Sequence, residues 1–147
     1  MSLVIGRVSK EFITAGDSIW TIEQPDGTHY TYRFQVVEAN DRWPEAVFVK
    51  LLTGPDNSND YTFMGKYDRH TGQVTTTAKS AKFEGSRPLR LLNRILIRIY
   101  SGDHDAYESH GYKTHHEGRC GRCARRLTVP SSIESGIGPE CAKHVYG

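Results

Sequence analysis

All three cysteines of the chain lie between residues 120 and 141, and a histidine follows at 144. Cys120 and Cys123 form a C-x-x-C pair. That spacing suits a zinc knuckle, because a short turn lets two thiolates converge on one metal while backbone amides point at the sulfurs. Cys141 follows Cys123 with 17 residues between them, and His144 follows Cys141 with two between them. Pro139 can open a helix there, which puts Cys141 and His144 on one face. The pattern reads as a knuckle, a connector, and two ligands from a first helical turn. A second imidazole competes for the fourth position: His116, four residues before Cys120. His115 is its neighbour and points elsewhere. Either His116 or His144 completes a Cys3His tetrahedron. The expected cofactor is one structural zinc ion per chain, closed to water by four protein ligands.

Other chemistry for these residues is weaker. No βαβ pattern surrounds the C-x-x-C, so a thioredoxin-type redox pair is disfavoured. His115-His-Glu117 resembles half of a zinc-deaminase site, but only three residues separate His116 from Cys120. Two helices cannot fit in that interval. A His-Asn-His nuclease is disfavoured because no asparagine follows Asn93. Cysteine nucleophilic catalysis needs a thiolate not tied to metal. The chain is therefore expected to be a binding protein, not an enzyme, with no small-molecule substrate.

The second group of interest is basic. Arg87, Arg90, Arg94 and Arg98 recur every three or four residues, so a helix would gather them into one stripe. Arg119, Arg122, Arg125 and Arg126 crowd the knuckle. Net charge over the chain is only +2. Its distribution is uneven: residues 1–78 carry 7 Lys/Arg against 10 Asp/Glu, whereas residues 79–126 carry 11 against 5. A basic second half suits phosphates or an acidic protein. Strand aromatics Tyr30, Tyr32, Phe34, Tyr61 and Phe63 are candidates for base stacking, although alternation assigns most of them to core or sheet surface.

Several elements must position these groups. With 147 residues and 37% hydrophobic content, one modest core is available. Residues 18–24, 29–37, 46–52, 61–67 and 74–78 read as short strands separated by turn signals such as Pro25-Asp-Gly-Thr. Closely spaced strands predict an antiparallel meander of four or five strands. Leu89, Leu92, Ile95, Leu96 and Ile99 have helical spacing, predicting one helix over 86–100 that packs on the sheet. Ser86 suits its N-cap, Pro88 its first turn, and Gly102 its stop. Residues 103–115 are polar and read as a linker. The expected organisation is an α+β domain over 1–102, that linker, and a treble-clef or ribbon-like zinc module over 116–147.

No apolar run approaches the length of a signal peptide core or a membrane span. An odd cysteine count without a secretion signal points to a reducing, cytoplasmic setting.

The stretch "HEGRCGRCARRLTVPSSIESGIGPECA" resembles a small zinc-binding family of unknown function from phage and actinobacterial sequences. "LLTGPDNSNDYTFMGKY" and "TTTAKSAKF" are similar to phage hypothetical proteins that carry this module at their C-terminus. The resemblance implies metal ligands at Cys120, Cys123 and Cys141. In the longer phage forms the His-Glu-Gly-x-Cys stretch recurs, which favours His116, while helix geometry favours His144. Ala124 stands where the family usually has glycine. The resemblance carries no established activity. Two function classes follow: a phage-type accessory protein binding nucleic acid, or one that docks on a host protein and modulates a defence complex.

Overall fold

A computed structural model describes residues 7–56, 59–116, 122, 123 and 137. It contains a six-stranded sheet in the order β5-β4-β3-β2-β1-β6, antiparallel throughout. The strands are β1 (Asp17–Glu23), β2 (His29–Val37), β3 (Ala46–Leu52), β4 (Tyr61–Asp68), β5 (Gln73–Thr75) and β6 (Lys113–His116). The first five strands are neighbours in sequence and in space, as expected of a meander.

Residues 103–115, which lack a legible pattern, are not a structureless linker. They hold the short helix α3 (Asp105–Glu108) and most of β6. β6 returns to the start of the meander and pairs with β1, setting Trp20 opposite His116 and Ile22 opposite Thr114. Four polar residues, Lys-Thr-His-His, make this strand. It has no hydrophobic alternation of its own, and its pairing comes from the open edge of β1.

Alternation divides the sheet into two faces. Trp20, Ile22, Tyr32, Phe34, Val47, Val49 and Leu51 point to the inner face and form the core. The long helix α2 (Arg87–Ser101) lies on that face with Leu89, Leu92, Ile95, Leu96 and Ile99 buried, and Leu91 with them. Ser86 occupies the N-cap in an extended conformation, but its hydroxyl makes no capping bond. Pro88 lies in the first turn, and Gly102 ends the helix at φ 76°, a left-handed conformation that favours glycine. The hydroxyl of Tyr32 donates to the carbonyl of Pro88 at 2.7 Å, fixing the helix start over β2. A short N-terminal helix, α1 (Lys10–Ile13), is capped by Ser9 and buries Phe12 and Ile13 beside β1. Among the described residues, no helix is long and apolar enough to cross a membrane.

Candidate functional site

α2 presents its apolar residues to the sheet, so its opposite face carries the arginine stripe. Arg87, Arg90, Arg94 and Arg98 are all exposed. A shallow groove of about 720 Å³ runs over the helix, lined by Arg87, Arg90 and Arg94 together with Gln24, Gln73, Asn93, Leu91, Ile97 and Tyr112. A smaller adjoining cavity of about 260 Å³ shares Leu91, Arg94, Ile97 and Tyr112 and adds Arg98, Tyr107 and His110. The stripe expected from spacing is thus one basic surface.

The guanidinium groups differ in what holds them. Arg87 donates to the side-chain oxygen of Gln24 at 2.7 Å. Arg94 lies 6.0 Å from the centre of the Tyr112 ring, a cation–π contact that orients the group without neutralising it. Arg98 is 4.0 Å from Asp103, both half-exposed, a pair worth little in water. Among the described residues, no carboxylate is within ion-pair distance of Arg87, Arg90 or Arg94. The groove walls are held by amides. Asn93 accepts from the backbone N–H of Val74 at 2.7 Å and donates to its carbonyl at 2.9 Å, tying α2 to β5.

The metal-ligand candidates are placed only in part. His116 closes β6 on the inner face, 2% exposed, with its ring 5.3 Å from that of Phe12. His115 points to the other face, with Nε2 3.5 Å from a carboxylate oxygen of Glu23. Burial pushes the His115 pKa down, and Glu23 opposes that shift. Arg122 and Cys123 are exposed. Ile137 is 1% exposed and belongs to the same core cluster as the sheet residues. Cys120, Cys141, His144, Arg119, Arg125 and Arg126 lie outside the described residues. Among the described residues, no group of three or more His, Cys, Asp or Glu side chains could hold a metal.

The strand aromatics separate by face. Tyr32 and Phe34 are wholly buried, and Tyr30 packs against the core from the same face. Phe63 lies on the opposite face, in ring contact with Phe48. Sequence reading overlooked Phe48, although Val47, Val49 and Leu51 alternate with it and point inward. Tyr112 was also missed, since it lies in a stretch with no periodic signal.

A family model described as a family of unknown function (DUF6011) matches residues 114–146. The match thus begins within β6 and runs through the cysteine segment. A search of curated proteins found no match, and a search of solved structures found none.

Proposed function

We propose that this protein binds nucleic acid through the basic surface of α2, and that a zinc ion folds its C-terminal segment. The observation that supports the first part is that three of these arginines have no ion-pair partner among the described residues. Arg87, Arg90 and Arg94 share one groove, and no carboxylate among the described residues pairs with them. Each guanidinium can bridge phosphate oxygens bidentately. Several acting together release condensed counterions, which supplies affinity without reading bases. Arg98, loosely held by Asp103, extends the surface toward the C-terminal end of the helix.

The donor chemistry of the segment fits zinc. Three thiols and an imidazole are a common structural set, with Cys120, Cys123 and Cys141 as sulfur ligands and His116 or His144 as the nitrogen. Zinc in such a site supplies folding energy. His116 would join the metal to the sheet, since it belongs to β6. The role is that of a binding protein rather than an enzyme.

One observation favours a protein partner instead. Ile97 is 51% exposed amid the arginines, and an apolar residue ringed by charge is common at protein interfaces. Salt separates the readings. A mobility-shift assay with duplex and single-stranded DNA and RNA at low salt tests the first. Absence of any shift would move the protein-partner reading into first place.

A further inference from the structure

α2 and α1 cover only the inner face of the sheet. On β2, β3 and β4 the outer positions carry an alternation of rings and cations. Arg33 stands opposite Lys50, Lys50 opposite Phe63, and Phe48 opposite Lys66. The Phe48 and Phe63 rings meet edge to face, 5.6 Å apart at 87°. The Lys66 ammonium lies 5.7 Å from the centre of the Phe48 ring. Phe48, Phe63 and Lys50 are half-buried, and Lys66 is exposed.

The two phenyl rings need explaining. An antiparallel sheet with one face on its core normally turns polar side chains to the other. Here two phenylalanines side by side break that pattern. Charge on the same face narrows the class of partner. Arg33 is spent on Asp17, with a bidentate contact at 2.8 and 2.7 Å. Among the described residues, no carboxylate is within ion-pair distance of Lys50 or Lys66. Paired phenyl rings flanked by cations that no carboxylate among the described residues pairs with complement a ligand that alternates planar apolar groups with anions. A single nucleic-acid strand is such a ligand, whereas a duplex keeps its base faces stacked and hidden.

We propose that this sheet face, which no helix among the described residues covers, binds single-stranded nucleic acid, with bases stacking on Phe48 and Phe63 and phosphates meeting Lys50 and Lys66. The site is on the opposite side of the sheet from α2 and does not rest on the reading of the arginine groove.

The test uses the full chain and a fluorescein-labelled oligo(dT), followed by anisotropy. Phe48→Leu with Phe63→Leu keeps apolar bulk and removes the ring faces. It should weaken oligo(dT) binding at least about tenfold, from the usual contribution of a stacked base. Duplex binding and the salt slope should stay unchanged. Lys50→Gln with Lys66→Gln should weaken binding and lower the slope by about 1.4, since each single-strand phosphate contact contributes about 0.7. Photo-crosslinking of the unaltered protein, which needs no variant to fold, should place oligo(dT) on peptides of β3 and β4. Wild-type affinity in the double phenylalanine variant overturns the proposal, as does crosslinking confined to other segments. Loss of oligo(dT) binding only on reversal of Arg90 and Arg94 also overturns it and leaves the α2 reading standing. If the phenylalanine variant loses oligo(dT) while the arginine variant keeps both oligo(dT) and duplex, the sheet site stands and the α2 reading fails. A wild-type protein that does not bind oligo(dT) at low salt, but captures a protein through Phe48 and Phe63, overturns it in favour of a protein interface.

Discussion

The carbonyl oxygen of Arg122 fills the space into which a side chain at Gly16 would project. Gly16 itself is fixed, because its carbonyl accepts from the backbone N–H of Val36 at 2.8 Å. Arg122 and the residue that leads into β1 therefore touch backbone to backbone. Gly16→Ala should cost about 1–3 kcal/mol, the usual penalty of forcing a methyl into a filled site. It should also speed tryptic cleavage among the arginines of 119–126. Urea denaturation and timed digestion read the two effects. Unchanged values for both would mean that residue 122 is not held against the sheet.

Metal analysis of the purified chain should find about one zinc per molecule, as a single tetrahedral site requires. Cys120→Ser and Cys141→Ser should each lose it. His116→Ala and His144→Ala, measured side by side, identify the nitrogen ligand. A His116 ligand has a second consequence, since β6 carries that residue. Chelation would then raise amide exchange in β6 as well as in the cysteine segment. Full zinc occupancy in Cys141→Ser would remove that thiol from the site.

Asn93 is the clamp between α2 and β5. Asn93→Ala leaves the Val74 backbone groups without their side-chain partners, and Val74 is 2% exposed. The expected loss is about 1–3 kcal/mol, the cost of an unmet buried polar group. Faster exchange of the Val74 amide should accompany it. A stability within error of the unaltered protein would mean that water replaces the clamp without cost.

His104 provides a pH signature. Its Nδ1 contacts the hydroxyl of Tyr107. Burial and the nearby charge of Arg7 push its pKa down from 6.5, against Glu108, Asp103 and Asp105. A histidine with a depressed folded pKa is protonated more readily in the unfolded chain. Its contribution is complete above about pH 6.5 and is lost as pH falls through the window below that value. His104→Gln should remove this component. Between pH 7.5 and 5.5 the variant should lose less stability in urea than the unaltered protein. Equal losses would contradict the assignment.

Much of the architecture is legible in the residues. β1 to β4 and α2 have strong alternation or helical spacing, and each lies within one or two residues of its expected place. The stripe Arg87, Arg90, Arg94 and Arg98 follows from the same spacing that buries Leu92 and Leu96. What escapes reading depends on distant partners. Lys113–His116 is a strand because β1 offers an open edge, which no local pattern reveals. α1 is four residues long, too short for periodicity to speak. The sorting of aromatics needs register: Tyr32 and Phe34 face the core, whereas Phe63 lies beyond a bulge in β4 that shifts its pairing with β3. The cysteine spacing is legible in the sequence, but Cys120, Cys141 and His144 lie outside the described residues.

In the proposed function, Arg87, Arg90 and Arg94 on α2 bind phosphates. The direct measurement is anisotropy of a labelled duplex across a salt series, comparing the unaltered protein with Arg90→Glu/Arg94→Glu. Neither residue is a zinc ligand candidate or a core residue, so zinc content and the melting temperature should be retained. Binding at low salt is expected, with log affinity falling linearly against log salt. In the double variant, affinity should fall at least about tenfold, and the slope should become shallower by about 1.8, since each lost duplex phosphate contact removes about 0.9. Equal affinity and equal slope for the two proteins, or no duplex binding by the unaltered chain at low salt, would contradict it.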